Sequence, residues 1–153
     1  MSEFLGSLPF DRVVVYDTEF TARDGEPVEP ICLVATDLIT DTTVRLWFDE
    51  LGSEPPFPTD ASTLWCAYNA EAEHSFFLAA GWPLPERALD LFIEFKNLRN
   101  QTLPKLQRPK GSSSLVSALA YYGIRHTMSD QKNGIRERCI EGGPFTDNER
   151  NEI

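Results

Sequence analysis

The chain has 153 residues, 41% of them hydrophobic, which is enough for one domain with a sizeable core and too apolar for a disordered segment. A formal net charge of −10 excludes a protein that binds DNA through the electrostatics of its whole surface, since such a protein would be basic. It does not exclude an enzyme that meets phosphates through metal ions held by carboxylates, because the ions reverse the local charge.

Residues 12–20, RVVVYDTEF, read as a central strand, apolar and β-branched until Asp17. Residues 30–38, PICLVATDL, and 42–51, TTVRLWFDEL, read as the second and third strands, joined by a short polar turn into a hairpin. The proline-rich loop GSEPPFPTDAS follows, and then a fourth strand, TLWCAYN, over 63–69. Asn69 is placed to cap a helix over 70–80, which Gly81 and Pro83 stop. Residues 88–95, ALDLFIEF, read as a short fifth strand, and Lys96 to Ser114 as a long loop. A helix over 114–123 carries Leu115, Ala118, Leu119 and Tyr122 on one face, with Ser114 or a neighbour as cap and Gly123 as stop. A weaker helix is expected from Ser129 to Glu141, and Thr146 with Glu149 forms a capping box that starts a last helix. A strand meander followed by alternating helices and strands predicts a mixed α/β sheet in a single domain over 1–153.

Three cysteines, Cys32, Cys66 and Cys139, are odd in number and widely spaced. That argues against a disulfide framework and a zinc site, and predicts buried free thiols. No run is long enough for a transmembrane helix, and the N-terminus lacks the pattern of a secretory signal. The expected location is therefore the cytoplasm, with no membrane partner.

Asp17 and Glu19, at i and i+2 of a strand, project side by side. Two carboxylates that close repel each other and lose hydration, so they need a cation or a proton. The alternative is a surface strand end with two solvated acids. Glu73 lies in line with the apolar stripe of Phe76, Phe77 and Ala80, in the first turn of its helix, whereas Glu71 is offset and solvated. The alternative for Glu73 is an acid that complements the helix dipole. Asp90, between Leu89 and Leu91, caps a neighbouring element or orients a substrate. Carboxylates without histidine clusters suit hard cations such as Mg²⁺ or Mn²⁺. Two such ions roughly 4 Å apart can activate water and stabilise a leaving oxygen. His74 and His126 read as structural or exposed. Between Lys96 and Ser114, Lys96, Arg99, Lys105, Arg108 and Lys110 form a basic stretch with no acid, either a phosphate track or a solvated loop. Trp47, Trp65 and Trp82 read as core.

These residues resemble the 3′–5′ exonucleases with an Asp-Glu-Asp-Asp metal site and a ribonuclease H-like fold. DTEF is similar to their first motif, and AYNAEAE to their second, an Asn after the fourth strand followed by an acid on the next helix. PICLVATDL, RLWFDEL, GWPLPERALDLFIEF and GGPFTDNER resemble in particular the exonuclease portions of family A DNA polymerases of phages, plasmids and bacteria. The likeness covers nearly the whole chain. It implies a five-stranded mixed sheet flanked by helices, with Asp17, Glu19 and Glu73 as catalytic metal ligands for two Mg²⁺ or Mn²⁺ ions in the complete domain. Asp17 would bridge the two. It further implies that Tyr68 and Asn69 line the site, that Thr18 and Phe20 flank the 3′-terminal nucleotide, and that Asp90 has a supporting role. The implied substrate is a single-stranded 3′ end of DNA, or of RNA, and the implied partner is a polymerase domain or subunit.

The sequence departs from the family in three places. Glu73 stands where most relatives have Asp. The proline-rich loop replaces a helix that many relatives carry. The third motif, a Tyr or His with an Asp four residues later, does not appear before Ile153, so the expectation is a fragment whose final helix is incomplete. Three readings follow: a proofreading exonuclease, a catalytically incomplete nucleic-acid-binding module of the same fold, and a structural domain with solvated acids at its strand ends.

Overall fold

A computed structural model describes residues 2–21, 25–102, 113–125, 138–139 and 142–152. Its centre is a five-stranded sheet in the order β3-β2-β1-β4-β5. β1 (Arg12–Phe20) pairs antiparallel with β2 (Pro30–Asp37), and β2 antiparallel with β3 (Thr42–Trp47). β4 (Thr63–Ala67) runs parallel to β1, and β5 (Ala88–Asp90) parallel to β4. The helices are α1 (Ser2–Leu5), α2 (Ala70–Ala79), α3 (Leu91–Thr102), α4 (Leu115–Tyr121) and α5 (Asp147–Glu152). This is the mixed sheet with flanking helices expected from the sequence, in a ribonuclease H-like strand order.

The pleat of β1 divides the core. Val14, Tyr16 and Thr18 turn to the face covered by α2, where Leu33, Ala35, Trp65 and Ala67 of the sheet meet Ala70, Phe76 and Phe77 of the helix. The rings pack edge to face, with centroids 5.0 Å apart for Tyr16 and Trp65 and 5.2 Å for Trp65 and Phe77. The proline-rich loop is fastened to this core by the buried Phe57 and by two indoles. Trp65 Nε1 donates to the Pro58 carbonyl at 2.9 Å, and Trp82 Nε1 to the Gly52 carbonyl at 2.8 Å. The opposite face carries a smaller cluster of Ile31, Cys32 and Cys139, with Trp47 and Phe145 against it. All three cysteines are buried free thiols, as expected.

Local capping moved two boundaries. β3 ends at Trp47 rather than residue 51, because Glu50 Oε2 accepts the Trp47 N–H at 2.9 Å and winds Phe48–Glu50 into a 3₁₀ turn. The expected fifth strand over 88–95 is a strand only to Asp90. There the Asp90 carboxylate accepts the N–H groups of Phe92 and Ile93, at 2.9 and 3.1 Å, and starts a helix instead. The expected loop from Lys96 therefore begins as helix, with Lys96 and Arg99 on α3. Lys105, Arg108 and Lys110, His126, and nearly all of the weaker helix expected over 129–141 lie outside the described residues. α4 starts as expected, with Ser114 Oγ accepting the Ser117 N–H at 3.2 Å. The capping box of Thr146 and Glu149 forms at the start of α5. Among the described residues no helix is long and apolar enough to cross a membrane.

Candidate functional site at the ends of the parallel strands

β1, β4 and β5 run in one direction, so their carboxyl ends share one edge of the domain, the usual place for ligands in open α/β sheets. Glu19 and Phe20 close β1, Tyr68 and Asn69 follow β4, and Asp90 ends β5. Glu73 stands one turn into α2. Asp17 to Phe20, Tyr68, Asn69, Glu73 and Asp90 thus gather at this edge, but on two faces.

Asp17 is exposed and Glu19 half-buried, and both point away from the α2 face. Glu19 lies beside Cys32 in the β1–β2 register. The Cys32 thiol is pushed up to about 12, first by burial and then by the Glu19 charge, as expected if Glu19 shares its face. Glu73 is on the α2 face, 6% exposed, and accepts a hydrogen bond from the Thr18 hydroxyl. Burial pushes its carboxyl up to about 7, and the Thr18 bond opposes that rise. The charges of Asp17 and Glu19 add to it. The three acids are thus near enough to feel one another without converging on one centre. Thr18, implied by the resemblance to flank a nucleotide, holds α2 to β1 through its bond to Glu73. Phe20 packs against the α2-side core.

Asn69 occupies the N-cap position of α2 with φ 80° and ψ 59°, in the left-handed region that Asn tolerates, and its side chain makes no capping bond. The N–H of Ala70 is satisfied instead by Asp90 Oδ2 at 3.1 Å. One carboxylate therefore serves the starts of both α2 and α3, the capping role among the two readings of Asp90. The exposed Asn69 side chain remains at the site edge. The Tyr68 hydroxyl donates to the Ser113 carbonyl, and its ring meets Phe92 edge-on, with centroids 6.0 Å apart. Burial, and then Asp90, raise its pKa.

Sequence reasoning passed over Tyr16. Its buried hydroxyl has no hydrogen-bond partner among the described residues and feels the charge of Glu73. The available signal was parity, since Tyr16 and Thr18 alternate with Asp17 and must face the other way. His74 is half-buried, and its Nε2 has no hydrogen-bond partner among the described residues.

Among the described residues no three His, Cys, Asp or Glu side chains are grouped closely enough to share a metal ion. Asp17 and Glu19, two acids on one face, suit one hard cation. Glu73 is turned to the other face and bonded to Thr18.

The sheet order, the strand directions and the helix packed across β1 define a ribonuclease H-like α/β domain. The sequence matches no protein-family model, and no curated protein matches it. Among solved structures the chain is similar to the EXO domain of Nibbler from Aedes aegypti, with a TM-score of 0.45 and 9% identity over 90% of this chain and 75% of that one. A likeness this distant transfers neither family nor activity.

Proposed function

We propose that the chain is a 3′–5′ exonuclease-like domain that takes the single-stranded 3′ end of DNA at the carboxyl ends of β1 and β4, in the service of a DNA polymerase. One observation carries this reading. The two segments that resemble exonuclease motifs, far apart in sequence, lie side by side at one edge of the sheet, close enough for Asp17 and Glu19 to raise the pKa of Glu73. A Mg²⁺ or Mn²⁺ ion held by Asp17 and Glu19 would supply Lewis acidity to a phosphodiester. The protein's own groups do the rest. Asn69, exposed at a left-handed turn, offers an amide to the sugar-phosphate, Tyr68 presents a ring edge, and Thr18 fixes α2 against β1 through Glu73. An RNA 3′ end is the other substrate of the same chemistry.

The test is a 5′-labelled single-stranded oligonucleotide incubated with the chain and Mn²⁺. The expected product is a ladder that shortens from the 3′ end and vanishes with Asp17→Ala. A ladder unchanged by that substitution would remove Asp17 from the chemistry. A second reading, a module that holds a 3′ end without cutting, is favoured by the bond between Glu73 and Thr18, which turns Glu73 away from Asp17 and Glu19. It predicts oligonucleotide binding with no products.

A further inference from the structure

Outside the carboxylates, the feature of this acidic chain that lacks an explanation is a cation set among rings. The guanidinium of Arg99 lies 5.8 Å from the Phe95 ring centroid and 5.9 Å from that of Tyr121. Among the described residues it has no carboxylate partner, and its Nε is buried without a hydrogen bond. Lys96, exposed and one helical turn before Asn100, sits 5.1 Å over the Phe92 ring. Helical spacing puts Phe92, Phe95, Lys96 and Arg99 on one side of α3 and turns the acid of that stretch, Glu94, away from Lys96. α4 contributes no acid. It contributes Tyr121 and Tyr122, which are 45% and 60% exposed, cross each other edge to face at 5.1 Å, and both pack on Phe95. The patch is continuous with the strand-end site, because Phe92 also touches Tyr68.

We infer that this α3–α4 surface binds single-stranded nucleic acid without any metal, stacking bases on Tyr121 and Tyr122 and pairing phosphates with Lys96 and Arg99. Charge decides the occupant. In a chain of net charge −10, cations interleaved with exposed rings on an acid-poor face fit an anionic polymer that also carries π-faces. Arg99 is flanked by the Phe95 and Tyr121 rings, and a guanidinium can meet a phosphate through two parallel N–H bonds. The inference takes from the function proposed above only the class of ligand, and it does not require cleavage.

The experiment is fluorescence anisotropy of a labelled oligo-dT with the 153-residue chain in EDTA, across a salt series. EDTA silences any metal-dependent contact at Asp17 and Glu19, so binding there reports this surface. Tyr122→Ala is expected to weaken binding by about fivefold to a hundredfold. Lys96→Gln is expected to reduce the slope of log affinity against log salt by about 0.7. Both side chains are exposed, and circular dichroism confirms that the variants fold. The inference is overturned if the oligonucleotide does not bind in EDTA at low salt, or if both variants bind as the parent does. A Tyr122-dependent dimer seen by light scattering in place of oligonucleotide binding would also overturn it. Binding in EDTA without shortening in Mn²⁺ would keep this surface and remove the exonuclease. Shortening in Mn²⁺ that ignores both substitutions, with no binding in EDTA, would do the reverse.

Discussion

Glu73→Gln should make this protein more stable, and by an amount that depends on pH. In the unfolded chain Glu73 ionises near 4.5, and in the folded protein at about 7, mainly because it is buried. Between those values the folded state keeps a proton that the unfolded state has lost. Stability therefore falls as pH rises through that window and levels off above it. The difference is roughly 2.5 pKa units at about 1.4 kcal/mol each, or about 3 kcal/mol lost by neutral-to-alkaline pH. Glutamine has nearly the same shape, does not ionise, and still offers an oxygen to the Thr18 hydroxyl. Urea unfolding followed by circular dichroism, in EDTA, gives the comparison. The lower pH should be 5.5, clear of the isoelectric point near 4.6. From there to pH 8.5 the advantage of Glu73→Gln should widen by about 2 kcal/mol. At pH 8.5 its midpoint temperature should exceed that of the parent by about 6–12 °C. A variant equal to or weaker than the parent at pH 8.5 would refute the argument that a buried, nearly unpaired charge sits there. Repeating the series with Mn²⁺ is equally informative. An ion that stabilises the parent and not Glu73→Gln would mean that Glu73 can leave Thr18 for a metal.

Asp90→Ala removes a carboxylate shared by two helix starts, and should cost about 2–3 kcal/mol in chemical denaturation, more than a single cap. A cost below about 0.5 kcal/mol would deny it that double role. Phe77→Ala empties the centre of the edge-to-face ring cluster and should cost about 3–5 kcal/mol, read as a matching drop in urea midpoint. Asp17→Ala, at an exposed position, should leave the thermal midpoint within a degree or two of the parent while lowering Mn²⁺-dependent shortening by orders of magnitude. A large loss of stability would make Asp17 a structural residue.

The sheet was legible because its signals are local. The Val13–Val14–Val15 run marks a buried central strand, the polar turn between 38 and 42 marks a hairpin, and Thr146 with Glu149 marks a helix start. The segment LFIEF was misread because a short apolar run with Phe at two positions suits a strand as well as a helix. What settles it is Asp90 immediately before, acting as an N-cap, and the spacing of Phe92 and Phe95 by three. At the site, periodicity put Asp17 and Glu19 on one face and Glu73 on the buried stripe of its helix. It could not say which side of the sheet that helix would cover. Parity supplied half the answer, since Thr18 must oppose its neighbours. The other half, that the side chain meeting Thr18 would be Glu73, depends on how α2 crosses β1, which no window of sequence contains.

The proline-rich stretch between β3 and β4 has few backbone bonds of its own and is held by indole N–H groups at Gly52 and Pro58. Two of the three tryptophans are thus clasped to the segment they restrain. Detachment of that segment would wet both indoles at once and shift the intrinsic emission to the red, so the molecule carries its own optical gauge of whether its core is closed.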